Sequence, residues 1–126
     1  MAFRVVGSLI AIGTASGKIV FDFGGSQIGM YSDQLGGDPT ANTYINLDNV
    51  ELRNGGRVLY ARNFNGTFLL KNSTISDMEM ANSVSGAGVV IERNVFDNVG
   101  KFEIGTHATF RNNRLVKKAN HQFNGH

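Results

Sequence analysis

The stretch Phe68-Leu69-Leu70-Lys71-Asn72-Ser73-Thr74-Ile75 decides how the rest of the chain is read. It runs apolar, any, apolar, any, small or polar, any, any, apolar. The period of two in its first half puts alternate side chains on opposite faces, which is the signature of a strand. The Asn that follows is a residue that enters left-handed backbone cheaply, so the chain turns there. Ile75 then opens a second inward-facing segment.

The same template fits along the whole sequence. Ile45-Asn-Leu47-Asp-Asn49-Val-Glu-Leu52 matches it, as do Val89-Val-Ile91-Glu-Arg93-Asn-Val-Phe96 and Ala108-Thr-Phe110-Arg-Asn112-Asn-Arg-Leu115. Upstream, Phe3-Arg-Val5-Val-Gly7-Ser-Leu-Ile10 and Phe21-Asp-Phe23-Gly-Gly25-Ser-Gln-Ile28 match it too. The starts fall at residues 3, 21, 45, 68, 89 and 108, a loose period near 21. Further alternating pieces lie between the copies, most clearly 58–60, 78–80 and 102–104. No segment shows a sustained helical period.

Such a unit cannot bury its apolar positions alone, but stacked units can, each strand pairing with its equivalent in the next. The expected interior is three columns of like side chains. Phe3, Phe21, Ile45, Phe68, Val89 and Ala108 form the first. Val5, Phe23, Leu47, Leu70, Ile91 and Phe110 form the second, and Ile10, Ile28, Leu52, Ile75, Phe96 and Leu115 the third. The expectation is a single all-β domain over 1–126, with 116–126 as a C-terminal cap or tail.

Composition agrees with this. The 126 residues include 16 Gly and 14 Asn, a turn-rich excess. At 41% hydrophobic and 17% charged the chain is not disordered. With no Cys there is no disulfide framework, thiolate metal site or thiol nucleophile. No run of about 18 apolar residues exists to span a membrane as a helix. Residues 1–13 could pass for a short signal peptide, but Gly7 and Ser8 interrupt the apolar run and the repeat claims the same residues. The compartment stays open, with the cytoplasm favoured. The net charge of +2 is weak, although residues 104–126 hold Arg111, Arg114, Lys117 and Lys118 and no acid.

Segments 89–98 and 108–115 resemble coils of the right-handed parallel β-helix superfamily, the fold of pectate lyases, polygalacturonases and phage tailspikes. The resemblance implies a single-stranded right-handed parallel β-helix, a solenoid of about six coils, and handedness comes from the resemblance alone. It also implies an asparagine ladder at the turn, assigned to Asn49, Asn72, Asn94 and Asn112. An Asn side chain can donate to one coil while accepting from another.

The family's chemistry does not transfer with its architecture. Polygalacturonase-like enzymes would need clustered aspartates and a Gly-His-Gly triplet, and the nearest match is Gly105-Thr106-His107. A lyase would need a carboxylate cluster for calcium. Asp48 and Glu92 share an outward face with Lys71 between them, roughly 10 Å apart from strand spacing. That separation suits neither a retaining carboxylate pair nor a tight metal site. His121 and His126 match no zinc signature. No catalytic residue, metal site or cofactor is expected.

Two features remain for recognition. The outward column Asp48, Lys71, Glu92, Arg111 alternates in sign, which favours a parallel register and could also form a groove for an acidic polysaccharide. The irregular stretch 29–44, with Tyr31, Asp33, Asp38 and Tyr44, reads as a loop leaving the stack. A first coil that starts at residue 3 has no N-terminal cap. An open end is therefore expected to bury itself against a second copy, giving a homo-oligomer. No nucleic acid or membrane partner is expected. The leading expectation is a non-catalytic interaction or assembly module. A carbohydrate-binding module is the alternative, and a minimal glycan lyase or hydrolase comes third.

Overall fold

Alternating β-branched, aliphatic and aromatic residues favour pleated strands, and fifteen short ones form among the described residues in the computed structural model of the chain. The structure describes residues 3–5, 7–26, 28–31, 43–60, 66–78, 88–104, 107–116 and 122–125. Among these residues there is no helix. The strands are β1 (Phe3–Arg4), β2 (Ser8–Ile12), β3 (Ile19–Asp22), β4 (Ile28–Tyr31), β5 (Tyr44–Asp48), β6 (Val50–Arg53), β7 (Arg57–Tyr60) and β8 (Thr67–Lys71). They continue as β9 (Thr74–Ser76), β10 (Val89–Glu92), β11 (Val95–Asp97), β12 (Lys101–Ile104), β13 (Thr109–Arg111), β14 (Arg114–Val116) and β15 (Gln122–Gly125).

All pairings among the described residues are parallel. Two five-stranded sheets run in the orders β13-β10-β8-β5-β2 and β14-β11-β9-β6-β3. Two smaller sheets, β1-β4-β7 and β12-β15, take the strands that follow β3, β6, β11 and β14, with β1 ahead of them. The chain thus visits a first-sheet strand, turns, visits a second-sheet strand, and returns by a third.

The turns have a simple cause. Between first and second strands one residue adopts positive φ in each successive row: Asn49 (φ 54), Asn72 (φ 53), Arg93 (φ 58) and Asn112 (φ 57). A second corner repeats this at Asn54 (φ 60), Asp77 (φ 53) and Asn98 (φ 58). Asn and Asp tolerate the left-handed region better than other side chains with a Cβ. The amides of these corner residues stay bonded along the stack, Asn49 N to Lys71 O (3.2 Å) and Asn72 N to Glu92 O (3.3 Å).

Inward positions form continuous columns. Ile45, Phe68 and Val89 stack in register, as do Leu47, Leu70 and Ile91, and Leu52, Ile75 and Phe96, all fully buried. Each such side chain removed from water contributes about 1.5–3 kcal/mol. Phe96 also packs on Phe110, with ring centroids 5.9 Å apart.

The columns depart from expectation in the first rows. Leu9, not Phe3 or Phe21, stands beside Ile45, and Ala11, not Phe23, stands beside Leu47. Phe21 pairs with Leu52 and so belongs to the third column. Ile10 faces outward and is 61% exposed, and Ile28 lies in the third strand set. The physical reason is the turn. Later rows change direction on one left-handed residue, whereas the first row spends 13–18 on the corner, closed by the Thr14 and Gly17 amide–carbonyl pair (3.2 and 3.1 Å). Gly7 and Gly25 do have positive φ, but they mark different corners. Each long sheet therefore holds five strands among the described residues, not six. One other expectation also changes: residues 29–31 are part of β4 rather than loop. Within the segment expected as a C-terminal cap or tail, 122–125 form β15 against β12.

Candidate functional site

The outward face of the first sheet carries the charged column. In-register pairing sets Asp48 beside Lys71, Lys71 beside Glu92, and Glu92 beside Arg111. Parallel sheets are commonly covered on both faces; here the outward one carries this charged column beside a mixed column of Ile10, Asn46, Leu69, Val90 and Thr109. The alternation of sign is thus realised on consecutive strands, where opposite charges support the register.

Glu92 is the centre of this array. Its side chain is only 8% exposed. One carboxylate oxygen accepts from Arg111 Nε at 2.6 Å, and the other lies 3.2 Å from an Arg93 guanidinium nitrogen. The Arg111 hydrogen bond is the main reason its carboxyl sits below the usual glutamate value of 4.5. Partial desolvation opposes this, and the charges of Arg111, Arg93 and Lys71 assist it. A carboxylate gripped by two guanidiniums stays ionised at neutral pH and is a poor proton donor.

The network continues sideways. Arg93 Nε donates to Asn72 Oδ1 (3.0 Å), and Asn72 Nδ2 donates to Asp48 Oδ1 (2.9 Å). Asn49 Nδ2 reaches the same Asp48 oxygen at 3.3 Å. Asp48, Asn72, Arg93, Glu92 and Arg111 thus form one connected chain. Lys71 joins it only through space, since its ammonium has no ion pair within 4.0 Å among the described residues.

Asn49, Asn72 and Asn112 sit at the left-handed corner and do not form the expected ladder with Asn94. The ladder lies one residue later, at Ser73, Asn94 and Asn113. Ser73 N donates to Asn94 Oδ1 (3.0 Å), and Asn94 N donates to Asn113 Oδ1 (3.0 Å). Asn94 Nδ2 donates to Leu70 O and Asn113 Nδ2 to Ile91 O (both 2.9 Å). Val50 N closes the series on Ser73 Oγ (3.1 Å), where an apolar residue replaces the amide. The corner residue turns its side chain outward because φ is positive there, and the following residue turns inward. Arg93 and Asn72 are therefore members of the outward network that charge alternation alone does not reveal.

Tyr44 begins β5 on the same outward face, and its hydroxyl lies 3.5 Å from Asn46 Nδ2. Asn46 Oδ1 is covered and has no hydrogen-bond partner among the described residues. Tyr31 ends β4, with its side chain outside the described part, and Asp33 and Asp38 lie outside the described residues. Of the eight candidate binding residues, the structure brings Asp48, Lys71, Glu92, Arg111 and Tyr44 onto one face. Among the described residues, no group of three or more His, Asp or Glu side chains could hold a metal ion.

No family model matches this chain, and no curated protein or solved structure matches it.

Proposed function

We propose that the chain is a right-handed single-stranded parallel β-helix that acts as a non-catalytic interaction and assembly module and self-associates through an open end. β1 pairs ahead of β4 although β2 and β3 begin the long sheets. It then belongs to a sixth coil, ahead of the one that β2 opens. The observation that carries the assembly role is the exposure of Ile10 (61%), Ile12 (59%), Ile19 and Val20 on β2 and β3, the first strands of both long sheets. An uncovered sheet edge lined by large apolar side chains is a pairing surface. The clamped state of Glu92 supports a binding role over acid–base chemistry. Sedimentation equilibrium across a wide concentration range tests this, and a clean monomer at high concentration overturns it.

A second reading rests on a different observation. Lys71 and Arg111 stand on alternate strands, roughly 10 Å apart, and Lys71 makes no ion pair within 4.0 Å among the described residues. Two cations so spaced suit the carboxylates of an acidic polysaccharide lying across the strands. Binding to uronic-acid polymers that disappears in a Lys71→Ala, Arg111→Ala double variant would support it. The absence of binding by the intact chain would remove it.

A further inference from the structure

We infer that two copies join head to head through β2, the two strands running antiparallel about a two-fold axis at Ile10. This rests on the self-association put forward above and specifies its surface and geometry.

The hydrogen bonds of β2 show which of its groups face the open edge. Gly7 O accepts from Tyr44 N (2.8 Å), and Gly13 N donates to Asp48 O (2.8 Å). In a parallel pair, residues bonded to one neighbour alternate with residues facing the other way. Leu9 and Ala11 therefore share β5 with Gly7 and Gly13, and they point their side chains inward. Ser8, Ile10 and Ile12 direct both N–H and C=O away from β5, to the side where the sheet order ends among the described residues. Set a second β2 antiparallel, with Ile10 opposite its own equivalent. Ser8 then falls opposite Ile12 of the other copy, and each of these pairs exchanges both hydrogen bonds. No edge group of Ser8, Ile10 or Ile12 is left over.

Charge selects this arrangement over the other two. Soluble proteins usually protect a sheet edge with a charge, a proline or a bulge. β2 is Ser-Leu-Ile-Ala-Ile and has none of these. The opposite edge is formed by β13 and β14, which carry exposed Arg111 and Arg114. Tail-to-tail pairing would set arginine against arginine. Head-to-tail stacking would extend the observed registers, placing Arg111 beside Ile12 and Arg114 beside Val20. Neither arginine would gain an anion there. Head-to-head pairing covers Ile10 and Ile12 and leaves the Asp48–Lys71–Glu92–Arg111 column intact. Being isologous, it closes at two copies, whereas head-to-tail stacking grows without limit.

The chain has no cysteine, so single substitutions at exposed β2 positions are clean probes. In an antiparallel hydrogen-bonded pair the Cα atoms lie about 5.5 Å apart, within disulfide reach. The expected result is a covalent dimer from Ile10→Cys under mild oxidation. Ile12→Cys alone should give none, because its equivalents lie about 14 Å apart along the strands. A mixture of Ser8→Cys and Ile12→Cys should cross-link. Ile10→Lys, checked for an unchanged circular dichroism spectrum, should weaken dimerisation at least tenfold. A dimer by mass whose Ile10→Cys variant fails to cross-link overturns the head-to-head geometry but leaves self-association standing. Cross-linking between Ile12→Cys and Arg111→Cys, with growth past the dimer, would replace it by head-to-tail stacking. A clean monomer overturns both the geometry and the assembly role.

Discussion

The row of β8 and β9 and the row of β2 and β3 are written in the same alternating pattern, yet they end in different surroundings. Phe68, Leu70 and Ile75 are completely buried; of their counterparts, the small Ala11 is buried, while Leu9 and Phe21 are only partly so. The inner row has a strand on each side, and the first row has one. In this architecture alternation decides which way a side chain points. Neighbouring strands decide how much water it loses.

Truncating equivalent phenylalanines should separate the two rows most strongly. Phe96→Ala should cost about 4 kcal/mol in chemical denaturation, near the top of the range for a filled core. Phe21→Ala, in the same column at the edge, should cost roughly half that. Equal costs would mean that the first row is as enclosed as the inner ones. The polar ladder offers a smaller contrast. Asn94→Ala strands the Ser73 amide in a buried position and should cost about 2 kcal/mol. Asn112→Ala loses only tolerance of the left-handed corner, about 1 kcal/mol.

Acid should distinguish the rows by a different route. Glu92 is held below 4.5 chiefly by Arg111, and Asp22 below 3.8 chiefly by the Gly24 amide at 2.9 Å. A lowered folded pKa means that the stabilisation is complete above the unfolded value and fades as pH falls through the folded one. Thermal melts should therefore lose the Glu92 contribution below about pH 4.5, and Glu92→Gln should flatten that part of the profile. Arg111→Gln should do so as well, because the same hydrogen bond is removed from the other side. The smallest effect is expected at the edge itself: Ile10→Thr should change monomer stability by no more than about 0.5 kcal/mol.

The charged column was legible because two rules fix it together. A period of two sets the face, and a recurrent corner residue sets the phase, so Asp48, Lys71, Glu92 and Arg111 could be aligned from sequence. The first row was not legible in this way. Phe3-Arg-Val5 and Phe21-Asp-Phe23 satisfy the template as well as Leu9-Ile-Ala11 does, and each of the first two precedes a glycine with positive φ nearby. Only the long 13–18 corner separates them, and a turn without a single marked residue leaves the phase undetermined. The ladder was displaced by one place for a related reason. Asn72-Ser73, Arg93-Asn94 and Asn112-Asn113 each offer two polar residues at the corner, and only backbone φ shows that the second turns inward. Arg93 was the least readable, since a long cation in the left-handed position is uncommon. β4 and β15 carry a weaker sequence signal, since Ile-Gly-Met-Tyr and Gln-Phe-Asn-Gly lack clean alternation.

The in-register parallel pairing has one more consequence, for the way the protein acquires its structure. The bonds of the inner ladder join residues a short distance apart along the chain: 23 for Val50 and Ser73, 21 for Ser73 and Asn94, 19 for Asn94 and Asn113. No pairing has to wait for the two termini to meet. A nucleus of two adjacent inner rows can form first, and each further row adds against a template already in place. Loss of structure should run in the opposite order, from the ends inward, with amide exchange slowest in β5, β8 and β10 and fastest in β2 of the isolated chain.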